Sequence, residues 1–147
     1  MTKNYKKGDD YKFYLNTGTQ SVPVWSLLKC VKDLQFDPAK ADIVIEENGA
    51  SDGHLHGYGD PLFSATIFED AGDANCADIY DAADAGDMIE IALANGPIAT
   101  TGTKFYRLES CVTGSPLSAN KGEAASRAME FRRHANSDFD LIKSVAA

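Results

Sequence analysis

The stretch 87-DMIEIALANGPIATTGTKFYRLESCV-112 decides the fold class of this 147-residue chain. Two apolar-rich runs, Asp87–Ala94 and Thr103–Val112, flank a segment that contains Gly96, Pro97 and Gly102. Short runs of this composition, separated by turn residues, are typical of β-strands. The stretch therefore predicts two strands and a connection between them, and it favours a β-rich fold.

Further strand-like runs lie on both sides of this stretch. They are Asp10–Asn16, Val22–Phe36, Ala41–Glu46, Leu62–Glu69 and Glu123–His134. The second is one long strand or two pieces bent near Asp33, and it carries Trp25, which we expect to be substantially buried. The last could also form a short helix, but Met129 and Phe131 fit a period of two, which favours a strand.

One segment has helical spacing instead. Asp73 can cap a helix over Ala74–Ala85, which closes at Gly86, and Asp78, Asp81 and Asp84 step by three along one face, so that these acids face solvent or a partner. The sequence thus predicts a mainly β fold, a β-sandwich or partly closed barrel of seven or eight strands with one flanking α-helix at about 73–85.

Length and composition fit one domain over residues 1–147, with short flexible segments at 1–9 and about 136–147. No apolar run approaches the roughly 18 residues of a membrane-spanning helix, and no apolar region follows the basic N-terminus as a signal peptide requires. The three cysteines are widely spaced and are expected to act as small buried apolar residues.

Charge is strongly segregated along the chain. The middle, from Ala41 to Thr103, holds thirteen carboxylates and no Lys or Arg, whereas the flanks hold all fourteen basic residues and nine acids. The middle could be a solvated acidic face, or it could meet the basic flanks of another copy, and the pattern alone leaves both open. The net charge of −8 disfavours ordinary duplex-DNA binding.

The one motif that suggests chemistry is the pair His54 and His56 with nearby Asp60. Two histidines on alternate strand positions and a carboxylate could bind a metal, as in the first motif of cupins, but the glycine spacing is off by one and a second histidine motif is missing. No catalytic-nucleophile or nucleotide-binding motif occurs either. We therefore predict no catalytic residues, no metal, no cofactor and no enzymatic activity.

Several stretches, in their order along the chain, carry a resemblance to a known family. They are Pro23–Lys29 with its tryptophan, the polar loop with His56–Asp60 before Leu62–Glu69, the Ala/Asp helix near Ile79–Ala83, the strands Met88–Ala94 and Lys104–Val112, and Ser115–Glu123 before Met129–Arg133. In order and texture the chain resembles the major tail proteins, or tail-tube proteins, of long-tailed bacteriophages. The type VI secretion tube protein shares that architecture.

The resemblance implies a structural virion protein that self-assembles. Six copies would form a ring, stacked rings would form the tail tube, and DNA would pass through the lumen without specific binding. The long loop Glu47–Pro61 would reach the neighbouring ring, with candidate contacts at Glu47, Asp52, His54, His56, Tyr58 and Asp60.

Partners would be the chain itself and other tail proteins: the tail tip, the terminator and the tape measure. No membrane is implied. The location would be the virion tail, after assembly in the host cytoplasm. The competing interpretation is a monomeric β-sandwich binding module, or a small cupin-like protein that binds metal through His54 and His56.

Overall fold

The computed structural model describes residues 8–29, 31–38, 42–45, 53–56, 60–70, 72–137 and 141–146. These residues form one α-helix and eleven strands. The strands are β1 (Lys12–Asn16), β2 (Trp25–Leu27), β3 (Val31–Asp37), β4 (Asp42–Ile45), β5 (Gly53–His56), β6 (Leu62–Phe68), β7 (Ile89–Ala94), β8 (Lys104–Gly114), β9 (Leu117–Ser118), β10 (Ser126–Arg133) and β11 (Ile142–Val145). The helix is α1 (Ala74–Ala85).

Nine strands form one antiparallel sheet, and the other two form a separate hairpin. The sheet order is β2-β1-β7-β8-β10-β6-β3, with β11 on β8 and β9 on β10, while β4 pairs with β5. The mainly β class with one helix is confirmed. The strands number more than the predicted seven or eight because several are only two to four residues long, and such pieces have no clear periodicity.

The sheet curls around a single main core. In a flat sheet β1 and β10, which are three strands apart, would be separated by about 14 Å. The rings of Phe13 on β1 and Phe131 on β10 nevertheless lie 5.6 Å apart. Phe36 on β3 and Tyr106 on β8, also three strands apart, have ring centroids 4.7 Å apart. The sheet is therefore folded over on itself without closing, since β2 and β3 remain its two ends.

Alternation along the strands sends one set of side chains into this core. Phe13, Ile91, Leu108 and Phe131 are buried there together with Ile79 of the helix. A smaller cluster lies on the opposite, convex face of the sheet, where Tyr14, Ala92, Ala94 and Phe105 pack with Trp25. Burial on both faces explains why the deciding stretch is so apolar.

The helix begins and ends where the sequence predicts. The carboxylate of Asp73 accepts from the N–H of Asn75 at 3.0 Å, and Gly86 adopts φ 73°, which is a left-handed conformation suited to glycine. Tyr80 donates to the carbonyl of Ile67 at 2.8 Å. These contacts fix α1 against the end of β6.

The region Val22–Phe36 consists of two strands and contains the expected bend. The register of β3 against β6 shifts between Lys32 and Gln35, and Asp33 between them has φ 53°. Such a bulge lets Val31 and Leu34 both pack on the core although they are three residues apart. The Ser126–Arg133 segment is a strand, as predicted.

Three expectations need correction. Residues 53–56, predicted to lie in a loop, form β5, because Gly53–His56 finds a partner in Asp42–Ile45. Residues 142–145, predicted to belong to a flexible end, form β11 and pair with Lys104–Arg107 of β8. Trp25 is only partly buried, because it sits on an end strand of the sheet on the convex face.

Candidate assembly surfaces

The two ends of the sheet are the first candidate surface. Within the described residues β2 pairs only with β1, and β3 pairs only with β6. The outer edge of each strand thus presents backbone donors and acceptors that another strand or chain can use. In a monomer an open edge of this kind favours aggregation, whereas in an assembly it can pair with a strand of a neighbouring copy.

A groove lies between these two ends. Its volume is about 650 Å³, and it is lined by the start of β1, the end of β2 and the first half of β3. Among the described residues that line it are three lysines, Lys12, Lys29 and Lys32, and the acid Asp33. Tyr11 and Leu27 add apolar surface and are 45% and 37% exposed. We refer to this feature as the lysine groove.

Exposed apolar side chains border the same edge. Val22 and Val24, in the segment that leads into β2, are 69% and 55% exposed. This segment is held in shape by Asn16, whose Oδ1 accepts from the N–H groups of Gly18 at 2.8 Å and Val24 at 3.0 Å. A Cβ on Gly18 would lie 2.6 Å from the carbonyl oxygen of Val22, so only glycine fits there.

A buried ion pair on the convex face of the sheet holds the segment that leads into β2. Glu90 on β7 and Arg107 on β8 are diagonal neighbours on the convex face, since Arg107 lies opposite Ala92. The two side chains form an ion pair and are only 7% and 15% exposed for Glu90 and Arg107 respectively. Arg107 also donates to the carbonyl of Gln20 at 3.0 Å, and its guanidinium lies 5.5 Å from the ring centre of Trp25. The pair therefore ties the segment before β2 to the sheet.

The outer face of α1 is acidic. Asp78, Asp81 and Asp84 are exposed, and the helix contains no Lys or Arg. Asp84 pairs with Arg127, with 2.8 Å between Oδ1 and Nη2. In the part of the chain that the structure describes, Asp78 and Asp81 form no ion pair. The three acids predicted to face solvent or a partner are therefore exposed on one side of the helix.

The β4–β5 hairpin is a further candidate surface. Asp42 lies opposite His56, and Val44 lies opposite His54. Among the described strands β4 and β5 pair only with each other and not with the nine-stranded sheet. A single two-stranded hairpin is at best marginally stable in water, so packing against another surface would stabilise this one.

The structure describes three of the six predicted contact residues. His54 and His56 are on β5, although the structure describes only their backbone. Asp60 lies beyond the hairpin, where it is 63% exposed and accepts from Nη1 of Arg132 at 2.5 Å. Glu47, Asp52 and Tyr58 fall outside the described residues. The contact role of all six stays a prediction.

Neither a metal centre nor a spanning helix is found in the described residues. No group of three or more His, Cys, Asp or Glu side chains there could hold a metal ion. The side chains of His54 and His56 are not among those described, so the expectation of no metal stays a prediction. No helix in the described part is long and apolar enough to cross a membrane.

Solved structures share this fold over nearly the whole chain. A chain of the SPP1 tail tube, determined by solid-state NMR and cryo-EM, is 14% identical with a TM-score of 0.69, and the match covers 95% of this chain and 78% of that one. A chain in the tail of an empty gene transfer agent particle, refined with C6 symmetry, is 13% identical with a TM-score of 0.64, covering 97% and 100%.

A third neighbour comes from a contractile system. It is a chain in the sheath/tube terminator of the PVC extracellular contractile injection system, with 8% identity, a TM-score of 0.62 and coverage of 98% and 99%. No family model and no curated protein matches the sequence. The chain has the fold of tail-tube proteins, as the sequence resemblance predicted. Identities this low establish the fold and not the function.

Sequence reasoning missed the lysine groove and the buried ion pair. The groove unites residues from three strands, and their proximity depends on the curl of the sheet. The ion pair could have been recognised from the sequence, because Glu90 and Arg107 are charged residues within apolar strands on either side of one turn. A predicted register between β7 and β8 would have placed Glu90 and Arg107 on the same face of the sheet.

Proposed function

We propose that this chain is a structural virion protein, the subunit of a phage tail tube that self-assembles from stacked hexameric rings. The observation that carries the proposal is the fold, which agrees over 95–98% of the chain with chains from a phage tail tube, a gene transfer agent tail and a contractile injection system. The C6 symmetry of the gene transfer agent tail supports six as the ring number.

The candidate surfaces suit such an assembly. A ring or tube needs two different surfaces on each subunit that fit one another, because identical surfaces would give closed dimers. The open edges of β2 and β3 at opposite ends of one sheet meet this need. Ring closure would also cover the exposed Val22 and Val24.

The hairpin supports contacts between rings. Among the described strands it does not pair with the main sheet, and its sequence neighbourhood Glu47–Pro61 is the predicted contact loop. A hairpin packed on the adjacent ring would gain the stability that it lacks alone. We propose that the candidate contact residues Glu47, Asp52, His54, His56, Tyr58 and Asp60 act at or beside this contact.

Net charge supports a conduit for DNA. Six copies at −8 each would carry a formal charge of −48 per ring. A wall of the same sign as the phosphate backbone repels DNA and so lets it pass without sticking. Assembly in the host cytoplasm and contacts with the tail tip, terminator and tape measure complete the proposal.

The test is direct observation of assembly. Purified full-length protein would be examined by size-exclusion chromatography with light scattering and by negative-stain electron microscopy, over a range of concentrations and with a purified tail-tip nucleus. Rings or tubes with sixfold averages are expected. Protein that stays monomeric under all these conditions would refute the proposal.

A further inference from the structure

We propose that the lysine groove of one copy receives the acidic face of α1, formed by Asp78 and Asp81, from a second copy. The inference rests on the proposed function, since it names one contact within the tube. It goes further because it assigns the partners of a groove and a helix face that lie in different parts of the subunit.

The groove has the size and chemistry of a docking site for an acidic element. It has a volume of about 650 Å³, and the lining that the structure describes includes Lys12, Lys29 and Lys32 as well as Asp33. Lys29 and Lys32 are exposed. The Nζ of Lys32 lies 5.1 Å from the ring centre of Phe68 on β6, a contact that restrains this side chain.

The helix face has the complementary chemistry. Asp78 and Asp81 are one helical turn apart and exposed, and no Lys or Arg occurs between Ala41 and Thr103 to neutralise them in sequence. Arg127 binds Asp84 and leaves the other two acids without an ion pair in the described part of the chain. The helix is held rigidly by Tyr80 and its caps, so docking would cost little conformational entropy.

A second copy is the occupant because the two surfaces differ and belong to one chain. A contact between unlike surfaces propagates from copy to copy, as a ring or a tube requires. The segregation of charge along the sequence then has a physical role. Carboxylates of the middle of one chain meet lysines of the N-terminal flank of the next, which steers association and fixes its register.

Charge reversal with rescue tests the contact. The groove variant is Lys29→Glu with Lys32→Glu, the helix variant is Asp78→Lys with Asp81→Lys, and the rescue variant combines all four substitutions. Each double variant should raise the protein concentration needed for assembly by about tenfold or more, because attraction becomes repulsion at each pair. The rescue variant should return to within about threefold of wild type. Wild-type assembly should weaken as salt rises from about 0.05 to 0.5 M.

Matched controls separate this contact from general charge effects. Lys104→Glu with Lys121→Glu makes the same change in net charge at two exposed lysines outside the groove and should leave assembly unchanged. Circular dichroism and urea unfolding check the fold of every variant. If the groove variant fails to fold, Lys29→Gln with Lys32→Gln gives the readout, and a rise of a few-fold is expected.

Three outcomes would overturn the contact. Groove variants that assemble like wild type, or a rescue variant no better than either double variant, would show that these surfaces do not meet. Rescue of the groove variant by Glu46→Lys with Glu47→Lys would assign the groove to the segment after β4. In these cases wild type still assembles, so the proposed function stands. Wild-type protein that never assembles would refute both the contact and the proposed function.

Discussion

Nε of Arg107 donates to Oε1 of Glu90 at 2.5 Å, while Nη2 of the same guanidinium donates to the carbonyl of Gln20 at 3.0 Å. Asn16 completes the arrangement by donating to Oε2 of Glu90 at 3.0 Å. A single carboxylate therefore joins β7 to β8 and to the end of β1. Through Arg107 it also holds the segment that leads into the end strand β2.

Arg107→Ala should lower the free energy of unfolding by about 3 kcal/mol, because it leaves the carboxylate of Glu90 buried without its cation. Urea denaturation of the wild type and the variant measures this. The double variant Arg107→Ala, Glu90→Ala should cost less than the sum of the single changes, since it removes both charges. A loss below about 1 kcal/mol for Arg107→Ala would contradict a structural role for the pair.

Trp25→Ala should cost about 2 kcal/mol, which is less than a core aromatic, because Trp25 is only partly buried. The indole lies edge-on to Phe105, with ring centres 6.0 Å apart, so its loss removes one aromatic contact on the convex face. Phe131→Ala, at a fully buried position, should cost about 3–5 kcal/mol. Unfolding by urea gives both values, and an equal cost for the two would show that Trp25 belongs to the core.

His54→Ala with His56→Ala should leave the fold of the nine-stranded sheet intact, because among the described strands β5 pairs with β4 alone. The free energy of unfolding should therefore change by no more than about 0.5 kcal/mol. Elemental analysis of the purified protein measures how much zinc and iron it contains per chain. Stoichiometric zinc or iron in wild type, lost in the variant, would restore the metal-binding alternative.

Excision of residues 42–58, with a short Gly-Ser linker in their place, should give a folded domain that forms rings but no long tubes. The core residues that the structure describes, such as Phe63, Leu108 and Phe131, lie outside the excised segment, so their apolar side chains are retained. Electron microscopy scores rings and tubes, and a linker variant that keeps 42–58 and inserts the same Gly-Ser residues after Gly114 controls for added flexibility. Long tubes from the excised protein would show that the hairpin is not needed between rings.

The sequence predicts much of the fold because the decisive signals are local. Asp73 and Gly86 mark the ends of α1, and the alternation of Met129 and Phe131 identifies β10. The hairpin strand β5 was missed because the glycine-rich context of Gly53–His56 resembles a loop, and only its partner Asp42–Ile45 makes it a strand. Propensity for a strand depends on what the strand pairs with.

The candidate surfaces were harder to predict because they are products of tertiary structure. The lysine groove brings Lys12 of β1 near Lys32 of β3, two strands that lie far apart in the order of the sheet. Segregation of charge along the sequence indicated that opposite surfaces exist. Only the curl of the sheet shows where they lie.

One edge of β8 is divided between two partners. Lys104–Arg107 pairs with β11, and Ser110–Gly114 pairs with β10. Under a mechanical load applied at the C-terminus, the four residue pairs of β11 would separate first, while β10 stays held between β8 and β6. When an antiparallel strand is pulled from its end, its hydrogen bonds break one after another, so β11 would detach from β8 at a low force. The segment after β10 would then extend while the pairs of β10 with β8 and β6 remain in place.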